Sequence, residues 1–425
     1  MAQATSGAPS AGFSAPATLS HLPRGVLACI ASQLDSPKDR LGLEASCHTL
    51  LDASRGELSS TFWGGPKLLI TLDSDEEAAQ VAALLAARRP GVAALVLETV
   101  EIPYRAPVLP SPPLAGLEAL HLANLFISRA AWQAVLRHSG LTSLRLQACL
   151  FATAQGKPVC TQPLRALPAL QHVEMSGPAS ETGYPIAPQP SRHLPGCSQL
   201  TSLDLRMCDR GDMPPGLSTL TALRKLKLWY DDLRDAERWA ELGRLPQLTH
   251  LHLELCLLEE VPKPLSRLTG LHTLVLRGNW NLERRWERLA PLTGLVNLGL
   301  AGTQFSCLPA VLSRLTSLQG LDLFGCNQLT ASNESWQALQ GHPSLRALYA
   351  NCCESLAAVP AVLSTLRSLQ SLAFNGSRRL AEGGGWHHLA GLSSLTRLEL
   401  LACGVNDVPP QLVGFAQAGI LRLYL

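Results

Sequence analysis

Charge and aromatic residues are scarce in this 425-residue chain: Asp, Glu, Lys and Arg make up 16% of it, Phe, Trp and Tyr 5%, and the formal net charge is only +2. A near-balanced chain without basic runs lacks the electrostatic signature of a protein that binds nucleic acid or an acidic membrane. No stretch approaches the roughly 18 uninterrupted apolar residues of a membrane-spanning helix. The opening MAQATSGAPSAGFSAPATLSH has neither the apolar block of a secretory signal nor an arginine. Residues 1–18 therefore read as a disordered tail, with a plastid transit peptide as the alternative.

Catalytic signatures are missing too. There is no phosphate-cradling glycine loop, no GxSxG turn and no CxxC pair. Gly383–Gly385 precede Trp386 inside a connection, and Cys47 and His48 are neighbours in an apolar helix, a poor setting for a nucleophile and its base. The expectation is a non-enzymatic chain without cofactor or metal.

What is abundant is leucine, in the pattern LxxLxL. Its first residue falls at Val92, Leu117, Leu141, Leu170, Leu200, Leu223, Leu248, Leu271, Leu295, Leu318, Leu345, Leu369, Leu395 and, degenerately, Ala418, at intervals of 23 to 30 residues. Ahead of the strand the apolar positions recur every three, as in Pro309, Leu312, Leu315, Leu318 and Leu321. A spacing of three that changes to two at Leu321 and Leu323 describes a short helical or 3-10 turn feeding a β-strand. Nine places ahead of successive strands stand Pro214, Trp239, Pro262, Trp286, Pro309, Trp336, Pro360, Trp386 and Pro409, in strict alternation. Proline can open a tight turn with its preset φ. Tryptophan in that slot, Trp132 included, is expected as core bulk. Segments such as WAELGRL favour helix more than VLSRL does, so longer and shorter helices should alternate.

This period and pattern resemble leucine-rich repeats of the LxxLP kind, interleaved with a helix-richer kind, over residues 92–425. The resemblance implies an α/β fold, a curved leucine-rich repeat solenoid of about fourteen units. Parallel strands would line its concave face, and short helices and 3-10 turns its convex face. Counting the first strand residue as one, position nine holds Cys149, Cys208, Cys256, Cys326, Cys353 and Cys403, with Asn279 and the candidates Thr303 and Ser377 elsewhere. In such repeats that side chain faces inward and serves backbone groups. These cysteines then read as buried, reduced residues, which implies an intracellular compartment, cytoplasmic with the nucleus as the alternative.

Residues 19–63 follow another pattern. Leu22 and Pro23 precede Leu27, Ile30 and Leu34 at helical spacing; Asp35, Pro37 and Asp39 form a turn; Leu41, Leu43, Ser46 and Cys47 begin a second helix. The segment resembles the F-box, although Leu50 stands where an aromatic is usual. That resemblance implies a small all-α module whose Leu22, Pro23, Leu27, Ile30 and Leu34 dock onto the adaptor of a cullin-RING (SCF-type) ubiquitin ligase. The chain would then be its substrate receptor. The alternative is a plain helical cap on a repeat scaffold or signalling adaptor. Residues 64–91 read as a half-repeat, with Ser74 and Glu77 forming a capping box.

Strand positions three, five and seven should point outward and bind a client protein. The candidates are Asp204, Arg206, Lys225, Lys227, Trp229, His250, His252, Glu254, Arg277, Phe324 and Tyr349, with Trp229 foremost because its register leaves the indole exposed. Cross-strand ion pairing of Asp204 with Lys227 is the bland use of the same residues. His250, His252 and Glu254 could converge on a metal, but the neighbouring lysines would repel it. Two long connections, within 141–170 and 170–200, are loop-forming and could add contacts. The final strand, with Leu421, Leu423 and Leu425, shows no polar closing helix. It suggests packing onto the Trp386 unit, end-to-end self-association or a truncated chain.

Overall fold

A single leucine row organises the second of two compact units. The fold comes from a computed structural model, which describes residues 67–71, 93–98, 114, 116–125, 127–149, 151, 164–177, 193–207, 213–230, 232–234 and 239–423. The tail, the F-box-like segment 19–63, the Ser74–Glu77 capping box and most of both long connections lie outside the described residues.

The first unit comprises 1–162 with 178–187, and the second 163–177 with 188–425. In the first, strands β1 (Lys67–Thr71), β2 (Ala94–Glu98), β3 (Ala119–Ala123) and β4 (Ser143–Gln147) pair in parallel. Helix α1 (Arg129–Leu136), capped by Ser128, lies between β3 and β4 in sequence.

In the second unit β5 (His172–Ser176), β6 (Ser202–Arg206), β7 (Lys225–Trp229) and β8 (His250–Glu254) have five residues each. Seven shorter strands follow: β9 (Thr273–Val275), β10 (Asn297–Gly299), β11 (Gly320–Asp322), β12 (Ala347–Tyr349), β13 (Ser371–Ala373), β14 (Arg397–Leu400) and β15 (Leu421–Leu423). Each pairs in parallel with the next, so that Leu203, Leu226, Leu251, Leu274, Leu298, Leu321, Leu348, Leu372 and Leu398 form one continuous row. All are buried, and complete burial of a leucine contributes about 1.5–3 kcal/mol. At β15 the row continues with Leu421, which like Leu423 is only half-buried.

The spacing of three has a direct cause. Leu265 donates its amide to Pro262 O, Leu268 to Leu265 O and Leu271 to Leu268 O, at 3.0 to 3.1 Å. Successive i to i+3 bonds bring every third side chain onto one face. Prolines 262, 309 and 360 cap five-residue 3-10 turns with extended backbone and φ near −60°.

Two expectations about the slot are corrected. The tryptophan units do not carry consistently longer helices: α2 (Trp239–Leu242) and the 3-10 turn Trp286–Leu289 have four residues, Trp386–His388 three, and only α3 (Asn333–Trp336) with the following turn is longer. Nor is every slot tryptophan core. Trp132 and Trp336 are buried, whereas Trp239, Trp286 and Trp386 are half-buried. Trp336 ends a helical turn capped by Ser332, but Trp286 and Trp386 open theirs directly after left-handed Arg285 and Gly385.

Position nine closes most of the described strands. The thiols of Cys149, Cys256, Cys326, Cys353 and Cys403 donate to the carbonyls of Leu122, Leu228, Leu300, Leu323 and Phe374, each on the preceding strand or just past it. Asn279 does more: Nδ2 donates to Leu253 O and Leu276 O at 2.8 Å, and Oδ1 accepts from the amides of Cys256 and Leu258. Ser377 donates to Ala350 O and accepts from the Cys353 amide. Thr303 bonds within its own repeat, to Leu300 O. Cys208 lies outside the described residues.

Replacing Asn279 by alanine strands four buried backbone groups and is expected to cost at least about 4 kcal/mol, against about 1 kcal/mol for Cys326→Ala, which removes one weak donor. Urea denaturation of both variants checks this; equal losses would refute the ranking.

Candidate functional site

Strands β5–β12 present the candidate residues in three rows. Register aligns Ser202, Lys225 and His250 in one row, Asp204, Lys227 and His252 in the next, and Arg206, Trp229 and Glu254 in the third. The leucines between them point into the core, and this holds the outward side chains in place.

The third row contains the most developed geometry. Arg206 forks onto Asp204, with Nε and Nη2 donating to its two oxygens at 3.2 and 3.1 Å, and lies 3.6 Å from Glu174. Its guanidinium also stacks over Trp229, 4.9 Å from the ring centroid. Asp204 therefore pairs with Arg206 and not with Lys227, because the fork of a guanidinium matches a carboxylate as an ammonium does not. Trp229 is half-buried under this stack, not freely exposed, and its Nε1 is shielded from solvent without a hydrogen-bond partner. A shielded indole N–H normally finds an acceptor.

Glu254 is the clearest correction on this face: it is buried, at 6% exposure, and accepts a hydrogen bond from Nδ1 of His252 at 3.1 Å. Beside Trp229 and turned to its own strand's histidine, it supports the face more than it lines it.

Further along, Arg277 reaches across the small Ala301 to Phe324, with 5.8 Å between the guanidinium and the ring centroid. Phe324 and Tyr349 are exposed, at 42% and 38%. Phe324, just past β11, stands four strand steps of about 4.8 Å from Trp229 on β7.

One feature is illegible from the LxxLxL pattern. Position eight takes a left-handed φ in every described repeat from the one at Leu200 to the one at Leu395. Glycine serves at Gly278, Gly302, Gly325 and Gly376, but Met207, Tyr230 and Leu255 occupy it in three consecutive repeats. Tyr230 is 59% exposed and Met207 39%. The alternation of glycine with bulky residues in one column is the only sequence signal for this strain. Leu255 lies over Gly278, where a Cβ would come within 2.5 Å of Leu255 Cδ2. Trp280, outside the tryptophan slot, is 52% exposed, with Nε1 near Gly302.

Off the strand face, a pocket of about 470 Å³ is lined by Leu233, Trp239, Leu258, Pro262 and Pro264 among others. Its charged rim is largely paired, Glu259 with Arg284 at 3.0 Å and Glu260 with Arg288 at 2.7 Å. No group of three His, Cys, Asp or Glu among the described residues could hold a metal.

A family described as a leucine-rich repeat region matches residues 199–414, just over half of the chain. The chain is a leucine-rich repeat protein. No curated protein matches it. Among solved structures it is similar to an internalin, InlF, from Listeria monocytogenes, at 20% identity and TM-score 0.55, over 82% of this chain and 94% of that one. It is also similar to TLR13 in a complex with ssRNA13 (19%, TM-score 0.56, 84% of this chain) and to the Toll–Spatzle complex of Drosophila (17%, TM-score 0.55, 79% of this chain). The match spans 50% and 44% of those two chains. At such identities these likenesses establish the leucine-rich repeat fold alone.

Tyr230→Gly relieves a left-handed tyrosine, a strain of about 1–2 kcal/mol, against glycine's entropic cost of about 0.5–1 kcal/mol. Stability should stay level or rise by up to about 1.5 kcal/mol in urea denaturation. A clear loss would show that the phenol packs as part of the fold.

Proposed function

We propose that this leucine-rich repeat protein is a binding scaffold that seats a client protein on the strand face of β6–β12, with Trp229 as its anchor. One observation carries the reading: a half-buried indole on the outward row of the strand face, held rigidly by the Arg206 guanidinium stacked over one side of it. Tryptophan and arginine held in place by a packed core are the residues that dominate binding energies. Two of the similar structures are complexes, one with an RNA and one with a protein. The near-neutral charge of this chain favours the protein class.

A finer proposal concerns residues 19–63. Leu22, Pro23, Leu27, Ile30 and Leu34 resemble the adaptor-binding side of an F-box. On that reading the scaffold delivers its client to an SCF-type ubiquitin ligase. The simpler reading, a repeat scaffold whose N-terminal helices only cap the solenoid, shares the client site and lacks the adaptor.

Proximity labelling in the native cell, under proteasome inhibition, separates these readings. Trp229→Ala should remove client labelling and retain any ligase adaptor, while Leu22→Ala/Pro23→Ala should remove the adaptor and retain the clients. Clients unaffected by Trp229→Ala would contradict the anchor. An adaptor unaffected by the double variant, or absent throughout, would contradict the ligase role.

A further inference from the structure

We propose that the rim of the strand face at the start of β5–β9 docks an acidic, carboxylate-rich segment of the client protein, placing an apolar residue of that segment against Trp229. The inference rests on the scaffold reading and names the chemistry of its partner.

The rim is formed by positions two and three of successive repeats: Gln171 and His172, Thr201 and Ser202, Arg224 and Lys225, Thr249 and His250, and His272 and Thr273. It contains two cations and three histidines and no acidic residue. Its backbone is already engaged, since the amides of positions two and three both donate to one carbonyl of the preceding repeat, as Thr249 and His250 do to Arg224 O. Only the side chains are left to read a ligand.

The acids of β5–β8 are already spent. Glu174 and Asp204 face Arg206, and Glu254 is buried against His252. Lys225 and Lys227 make no ion pair with any described residue. On β7 they stand in line with Trp229, consecutive outward residues about 6.7 Å apart. Two ammonium groups followed by an indole match an extended segment that carries carboxylates beside an apolar side chain. The lysines lie beside the Trp229 anchor, so the two surfaces are continuous.

His250 links this binding to pH. Lys225, Lys227 and Arg224 lie on the β7 side of it and His272 on the β9 side, with His252 and Glu254 on its own strand; Thr249 Oγ1 contacts its Nδ1 at 2.9 Å. Burial first, then Lys225, His252 and His272, hold its pKa below the ordinary imidazole value, so it is largely neutral at pH 7. A carboxylate seated on the rim opposes those cations and raises that pKa. Binding therefore takes up protons, and affinity increases as pH falls.

Fluorescence anisotropy on the full-length protein tests the proposal with short labelled peptides alternating leucine with glutamate, glutamine, lysine or phosphoserine. The glutamate peptide should bind at least about tenfold more tightly than the glutamine and lysine peptides, and more tightly from about pH 8 to about pH 6, a trend that His250→Gln flattens. Lys225→Met/Lys227→Met should weaken it by about tenfold, and Lys225→Glu/Lys227→Glu should transfer preference to the lysine peptide. Equal binding of glutamine and glutamate peptides, binding of the phosphoserine peptide alone, or indifference to the lysine variants would overturn the strip. Clients whose labelling depends on Trp229 but not on the lysines would also overturn it, and would leave the scaffold reading intact.

Discussion

A repeat must end its parallel strand and turn away from its neighbour without abandoning the last carbonyl in the core, and in most of the described repeats the side chain at position nine meets that need. A thiol or amide points back inward and bonds the carbonyl at position six of the preceding repeat. An unpaired backbone group at that depth would cost roughly 1–3 kcal/mol. To bring position nine inward, the residue before it adopts a left-handed conformation, which is why position eight does so from Met207 to Ala402. The leucine row and the exposed face then follow with one spacing per strand. Burial of the thiols also makes them inert: Cys149 and Cys353 are pushed up to about 12 and Cys326 and Cys403 to about 11, chiefly by desolvation.

Much of this architecture is legible in the sequence because leucine spacing and hydrogen-bond geometry are the same fact seen twice. LxxLxL places each strand, and the cysteine column marks each turn. What escapes the pattern is local geometry. Trp239, Trp286 and Trp386 share a slot with Trp336 but not its depth, because depth depends on whether the ring ends a turn or opens one. Asp204 opposes Lys227 in register, yet Arg206, two residues along its own strand, offers a better fork. Glu254 falls on an outward position by parity, but its carboxylate is drawn to His252. Parity tells which face a residue belongs to; it does not tell which neighbour claims it.

A face built this way is suited to binding. Trp229, Phe324 and the lysines of β7 stand on strands whose alternate residues are locked in the core, so a client orders few of them on arrival, and the entropic cost of association falls. On β5–β8 the same face separates its charges: carboxylates paired internally around Arg206 and His252, and Lys225 and Lys227 without an ion pair to any described residue.

The most direct test of this account is a photo-crosslinking scan around the leucine-rich repeats in the native cell, with a photoreactive residue placed in turn at Lys225, Tyr230 and Tyr349 on the strand side and at Ser313, Gln337 and Thr365 on the turn side. The account predicts that one and the same client protein is captured from the strand-side positions and not from the turns. Capture of that client from the turn-side positions alone would contradict it.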